Sequence, residues 1–557
     1  MLPFAGVFKG LRRDVLRITQ PRIVALLLIL LCVVLYAPYR ASPLLFDDFN
    51  VVNGTDFLDY AFQFWPAPRW LPYATLAHTH VLTAGSISAM RWGNLILHAA
   101  TVIAVFVLLR EICLSVLDQG LSEQHRKSSA LLIASLSAAI FALHPLAVYG
   151  VGYLVQRTIV MATLFMLLML IAYLRWLISG RRALWVWSAV WYLLSVFSKE
   201  HSVMAPAITL LLTLLLYRPS TALARRLLAP YAVYTVIALL VVGMVKGLLG
   251  AAYEPMAMDT LKDMQVDVNV AFALSVITQT ALFFKYLFLW VFPVVGWMSV
   301  DMREPLATSL MTWPYGAGAL AFALYPALAI GMVLRGGRLG IAGWALAFPW
   351  LMFATELSTV RVQETFVLYR TYLWFPVFGV VVALALSRLS VRLAIPVGLG
   401  LICALAPLSW NRLDTQSDAL LLWQDAAKLI GPGDVPRAGR IYYNRALALL
   451  AKGRKEEALA DMNLVITLHP KLAPIYFTRA QVNFALKRYS DALNDLNASL
   501  AIEPKQSSVY LARAATLKRM GRDDEALPDL RKSCDMKNFM GCFVLQQTEK
   551  ERAPLSR

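Results

Sequence analysis

Apolar runs of roughly 17–25 residues, the length a helix needs to cross a bilayer, recur through the first three quarters of the chain. The first runs from Ile23 to about Tyr36. Others follow near 91–110, 129–149, 158–178, 183–198, 203–217, 230–248, 315–334, 341–355, 372–388 and 393–408. No small-x-small cleavage site follows the first run, which reads as an uncleaved span rather than a signal peptide. Residues 271–297 are also long enough to cross. A single crossing there would upset the alternation of the turns. They read instead as a re-entrant or paired segment broken near Pro293, with its backbone buried in protein.

From about Trp410 the pattern changes to a soluble mixture of Lys, Glu, Asp and Ala, and becomes periodic. Pro470 and Pro504 stand 34 residues apart. Tyr442, Tyr476 and Tyr510 keep that period, as do Arg445, Arg479 and Arg513, Ala446, Ala480 and Ala514, and Ala458, Ala492 and Ala526. Gly453 and Gly521 mark turns, with Lys487 between them. This is the tetratricopeptide period, with small residues where paired helices approach closely. Repeats are predicted at about 439–472, 473–506 and 507–540, with a capping helix at 417–429 and a rear cap around Cys534–Cys542. The expected architecture is all-α: a polytopic membrane bundle of about 11 spans over 1–409, then a tetratricopeptide α-solenoid over 410–557.

Composition agrees. Of 557 residues 59% are hydrophobic and 15% charged, against about 25% charged in soluble domains. The net charge of +18 lies in short clusters between apolar runs: Arg110 with Arg126-Lys127, Arg175 with Arg181-Arg182, Arg218 with Arg225-Arg226, Arg335 with Arg338, and Arg388 with Arg392. That is the positive-inside signal, and with no basic-aromatic strand or zinc-finger spacing it excludes nucleic acid as a partner. The basic flank from Lys9 to Arg22 puts the N-terminus in the cytoplasm, and about 11 crossings put the repeats in the periplasm of a bacterial inner membrane. Among five cysteines there is no C-x-x-C. Cys534 and Cys542 read either as a disulfide or as two buried thiols.

Two groups of residues carry candidate chemistry. Asp47 and Asp48, in the stretch Leu44–Asn50 directly after the first span, are a general base or the cap of a short helix. His144, Gln156-Arg157, Lys199-Glu200-His201, Lys285 and Arg370 stand at the outer ends of later spans. Ionisable groups at mid-membrane cost roughly 2.5–3.5 kcal/mol each, so they face a cavity or a partner. Arg157, Lys199 and Arg370 share the acids' side, which suits an anionic, phosphate-bearing substrate; singly, each reads as a snorkelling or paired structural residue, as Lys199 with Glu200. Asn94 and His98, one turn apart, read as a helix-packing contact. No P-loop, Rossmann glycine pattern, Ser-His-Asp arrangement or H-E-x-x-H is present, so an activated, lipid-linked donor fits better than ATP.

The order of these residues resembles a known family. Asp47-Asp48, Asn94 and His98, His144-Pro145, Gln156-Arg157, Ser198-Lys-Glu200, then Glu364 and Arg370-Thr-Tyr-Leu373, followed by tetratricopeptide repeats, resemble GT-C fold glycosyltransferases. The branch is that of the transmembrane and tetratricopeptide repeat-containing O-mannosyltransferases, although this chain has fewer repeats. The resemblance implies transfer of a sugar from a polyprenyl-phosphate donor to a protein or glycan acceptor. Asp47 or Asp48 would deprotonate the acceptor hydroxyl and Arg157, Lys199 and Arg370 would contact the donor phosphate. Glu200 and Glu364 would orient them, with His201, His144 and Gln156 in support. The acidic pair is also a candidate oxygen site for Mg²⁺ or Mn²⁺. The repeats would present the acceptor, with Tyr442, Tyr476 and Tyr510 either touching it or packing within each repeat. An oligosaccharide ligase or polymerase, and a non-enzymatic repeat scaffold for envelope assembly, are the rival readings.

Overall fold

The computed structural model describes residues 20–54, 56–116, 122–251, 261–262, 266–310, 312–362, 364–430 and 438–552. The basic segment Lys9–Arg13, read for sidedness, lies outside them. The chain divides into two units, Met1–Asp418 and Ala419–Arg557, and the described residues form helices and turns with one isolated bridge, Met302 to Phe366. It is an all-α protein.

In the first unit the apolar runs become helices whose ends follow ordinary capping chemistry. Helix α1 (Pro21–Tyr36) starts on a proline, whose missing N–H costs nothing at a first turn. After it come α2 (Asp47–Val52), α3 (Trp70–Leu82) and α4 (Ile87–Val116). The Ser122 side chain caps α5 (Glu123–Ala142), and α6 (Pro145–Val151) continues it at a 62° bend. Helix α7 (Arg157–Ser179) stops at Gly180, whose φ of +72° is the left-handed stop that glycine adopts without strain. The rest are α8 (Arg182–Ser198), α9 (Ala205–Leu216), α10 (Thr221–Val245), α11 (Val268–Val291), α12 (Tyr315–Arg335), α13 (Gly337–Phe353), α14 (Phe378–Leu386) and α15 (Val391–Thr415).

Among the described residues eight helices are long and apolar enough to cross a membrane, or nine if α5 and α6 form one bent span, fewer than the expected 11. Three expected spans, 183–198, 203–217 and 372–388, fold as α8, α9 and α14, of 17, 12 and 9 residues, whereas α11, over the stretch read as re-entrant, counts among the eight. At 1.5 Å per residue the two shorter helices fall well short of a 30 Å core on their own. Burial separates centre from periphery. The apolar window of α7 is 89% buried, against 17% for α12 and α15, which turn Leu320, Leu324 and Leu393 outward.

Helix α11 is unbroken up to Val291 and the chain turns at Phe292–Pro293. It then runs back along the helix: Glu304 pairs with Lys285 and Ala307 N–H donates to Thr278 Oγ1 at 2.9 Å.

The second unit stacks α16 (Ala419–Lys428), α17 (Gly439–Ala451), α18 (Lys455–Leu468), α19 (Ala473–Ala485), α20 (Tyr489–Ile502), α21 (Ser507–Arg519), α22 (Asp523–Asp535) and α23 (Phe539–Arg552). The alanines of the 34-residue period, Ala446/Ala458, Ala480/Ala492 and Ala514/Ala526, are all buried where the helices of a pair meet. Each pair is tied by a two-pronged ion pair, Arg445–Asp461, Arg479–Asp495 and Arg513–Asp529. Arg479 and Arg513 also reach back to Asn463 and Asn497, at 2.9 and 2.8 Å, so one guanidinium joins two repeats. Cys534 and Cys542 form a disulfide between α22 and α23.

Candidate functional site

The two acids of the first loop have different surroundings. Asp48 is buried, and its carboxylate accepts N–H bonds from Leu45, Leu154 and Val155 at 3.1, 3.3 and 2.8 Å. Burial pushes its carboxyl up to about 6, against the lowering pull of those N–H groups and of Arg91. It fastens the loop to the turn before α7. Asp47 opens α2 with an exposed carboxylate that has no hydrogen-bonding or ionic partner among the described residues. Its backbone N–H donates to the Tyr153 hydroxyl at 3.0 Å.

The residue before Asp47 and one in the following loop have strained backbone. Phe46 has φ +46° and Arg69 φ +66°, conformations that cost a non-glycine residue on the order of 1–3 kcal/mol. The surroundings hold both in place. The Phe46 ring meets Tyr153 at 6.0 Å, and Arg69 N–H donates to Phe197 O at 2.8 Å.

The cations stand on helix breaks. Lys199 ends α8 in an extended conformation, and Glu200–Met204 form a 3₁₀ turn before α9. Glu356 lies in the 3₁₀ turn that ends α13, and Arg370 in another, Leu368–Leu373. Glu200 takes a two-pronged bond from Arg69. His201 sits 3.4 Å from both Glu200 and Glu356. Arg370 bonds Glu356 at 2.9 Å and lies 3.6 Å from Glu364, while Arg361 stands 3.8 Å from Glu356. The carboxylates hold Arg370 further above its usual value despite burial, and Glu200 does the same for Arg69.

Lys199 is the exception. It is buried, and among the described residues its ammonium has no hydrogen bond or ion pair; it lies over the Tyr369 ring at 5.9 Å. Burial first, then Arg69 and Arg370, bring its ammonium down to about 7, with Glu200 and Glu356 opposing. The Tyr369 ring is in turn 5.8 Å from Tyr153, whose hydroxyl holds Asp47. A free carboxylate and a free cation thus flank one pair of aromatic rings.

Several expected residues are elsewhere. Arg157 does not face the cluster: it donates to Asn94 Oδ1, Thr75 Oγ1 and Met90 O at 2.8, 3.2 and 2.6 Å. Gly93 permits this, since a Cβ there would stand 2.4 Å from the guanidinium. His144 caps α6 through its Nδ1 and contacts Trp290 O through Nε2 at 3.1 Å. Gln156 is buried with its Oε1 unpartnered. Asn94 joins α4 to Val151 and Leu154, and His98 meets the Tyr372 hydroxyl at 2.6 Å. Tyr442, Tyr476 and Tyr510 lie against the guanidinium groups of Arg445, Arg479 and Arg513, at 5.2, 5.9 and 5.5 Å. The acidic pair does not offer both carboxylates to one ion, because Asp48 is bound to backbone. Among the described residues no group of three or more His, Cys, Asp or Glu is placed to hold a metal.

Sequence reasoning passed over Arg69, Glu356 and Arg361. Glu356 carried the signal that found the others, an ionisable residue at the end of an apolar run. Arg69 sits in a loop, and only the fold brings it to Glu200.

The class the fold defines is an all-α chain of membrane-length apolar helices joined to a tetratricopeptide-repeat unit. Residues 439–472 match the tetratricopeptide repeat family, and no curated protein matches the chain. Among solved structures it is similar to the arabinofuranosyltransferase AftD from Mycobacteria, at 16% identity and TM-score 0.31, over 75% of this chain and 30% of that one. It is similar to MamA of AMB-1 at 19% identity and TM-score 0.20, over 28% of this chain and 87% of that one. For the APC/C hetero-tetramer Cut9–Hcn1 the values are 12% and 0.22, over 86% and 89%.

Proposed function

We propose that the chain is a membrane glycosyltransferase that moves a sugar from a polyprenyl-phosphate donor to an acceptor hydroxyl on the periplasmic face of a bacterial inner membrane. The observation that carries this reading is the pairing of Asp47 with Lys199 across Tyr153 and Tyr369, a carboxylate and a cation that have no hydrogen-bonding or ionic partner among the described residues.

In the proposed reaction the acceptor oxygen attacks the anomeric carbon as the carbon–oxygen bond to phosphate breaks. The acceptor proton passes to the Asp47 carboxylate, and the charge left on polyprenyl phosphate is met by Lys199. Arg69 and Arg370, already paired with Glu200 and Glu356, hold the positive field without closing on the ligand. One displacement with one base inverts the anomeric centre. Glu364 helps to set Arg370. The repeats present a protein or glycan acceptor.

The test is intact-mass profiling of periplasmic and surface glycoconjugates in a deletion strain, complemented with wild type or with Asp47→Asn. Loss of one sugar's mass, restored by wild type and not by Asp47→Asn, is the expected result. A loss many sugars long would favour a ligase or polymerase. Restoration by Asp47→Asn would remove the carboxylate from the chemistry and leave the repeats, as a scaffold, to explain the phenotype.

A further inference from the structure

Helices α7, α9 and α13 each bring one end to the cluster around Lys199. Their opposite ends do not close on one another. There Leu174, Leu212, Leu215, Ile341 and Trp344, with Ile112 of α4, line a cleft of about 260 Å³, and Arg338 stands on its wall. Helix α9 has 12 residues and stops at Leu216. Higher up, Gly340 lets α13 lie against Leu215, where a Cβ would come within 2.5 Å.

Arg338 is exposed and has no hydrogen bond or ion pair among the described residues. The left-handed pair Gly336–Gly337 turns the chain so that Arg338 falls in the first turn of α13. Its charge there is not neutralised by the helix, whose N-terminus carries a partial positive charge of its own. Hydrocarbon fits the cleft walls, and an anion fits the rim.

We infer that this cleft is a binding site for an anionic phospholipid, one acyl chain lying between α9 and α13 and the phosphate on Arg338. The occupant is a membrane lipid rather than a free phosphate, because the apolar walls make up most of the site and offer water too few partners. The site is distinct from the one around Lys199, at the other ends of the same helices, and the inference does not depend on the reaction proposed above.

The test is native mass spectrometry of the full chain released from nanodiscs that contain equal parts dioleoyl-phosphatidylglycerol and dioleoyl-phosphatidylcholine. The wild type is expected to retain phosphatidylglycerol in preference. Arg338→Gln is expected to lower that preference about fivefold, the ratio given by roughly 1 kcal/mol per basic residue near an anionic headgroup. Leu215→Trp, which fills the cleft, is expected to abolish retention. Arg218→Gln, a basic residue not lining the cleft, should leave it unchanged. Equal retention of the two lipids by wild type overturns the inference. So does a phosphatidylglycerol preference that survives Arg338→Gln or Leu215→Trp, or one that Arg218→Gln reduces as much.

Discussion

The two adjacent carboxylates give the sharpest contrast at the scale of single residues. Asp47→Asn removes a base and leaves the backbone bond to Tyr153 intact, so the fold should survive while transfer falls by about 10²–10⁴-fold. Asp48→Asn has one acceptor oxygen in place of two, and three N–H groups pointing at it. At least one N–H then faces an amide NH₂, at a cost of about 1–3 kcal/mol. Thermal unfolding of the purified variants, beside their rates with a lipid-linked donor, separates the two roles. The pH dependence of donor binding belongs to Lys199. The protonated ammonium is the form that attracts phosphate, so affinity should be flat below about pH 7 and fall as pH rises through that value. Titration with a short-chain polyprenyl-phosphate sugar should show the dissociation constant climbing above pH 7 for wild type and staying level to pH 9 for Lys199→Arg, whose guanidinium does not titrate there. Adjacency in sequence marked Asp47 and Asp48 as a pair and gave no means of telling them apart. That distinction is tertiary, because the N–H groups that take up Asp48 come largely from residues 154 and 155. Arg157 misled for a related reason: at the end of a span it has the same sequence context as Lys199, and the bare backbone at Gly93 decides that it folds inward.

At the scale of elements, the repeat unit was the most legible part of the chain. A 34-residue period fixes both which alanines meet and which arginine reaches which aspartate. One position breaks its own rule. The turn that Gly453 and Gly521 make with φ of +76° and +74° is made by Lys487 at +63°. Lys487→Gly should therefore stabilise the second repeat by about 1 kcal/mol or less, the relief of left-handed strain reduced by the greater entropy of unfolded glycine. Slower proteolytic cleavage of the full-length variant within 473–506 is the expected readout. Lengths of apolar runs were less informative in the membrane unit. Sequence gives hydrophobicity, and α8, α9 and α14 have it; the 3₁₀ turns that end α8 and precede α9 and α14 place Lys199, Glu200 and Arg370. The short elements and the candidate site are one feature, since a helix that ends early leaves polar backbone and charged side chains where protein must surround them.

At the scale of the molecule, the open variable is the side on which the site works, and the path of the chain makes it measurable. The last helix of the membrane unit, α15, ends beside the loop that carries Asp47: Ser409 donates to Leu143 O, Arg412 donates to Met298 O, and Gln416 shares a small cavity with Ser42, Arg91 and Gly152. The chain therefore leaves that unit at the same end as the candidate site. If α11 and its returning segment do not cross, and α8, α9 and α14 do, the nine long spans less one plus three give 11. An odd count puts the site opposite the N-terminus. The cysteines report the compartment directly, because Cys534 and Cys542 are close enough to bond and such a bond persists in the periplasm and not in a reducing cytosol. Alkylation of intact cells before and after reductant should show both thiols protected until reduced, while an Arg181→Cys reporter in a basic turn reacts with an impermeant maleimide only after permeabilisation. Reduced Cys534 and Cys542 would place the repeats in the cytoplasm. The proposed presentation of a periplasmic acceptor by the repeats would then fail even if every residue of the site proved essential.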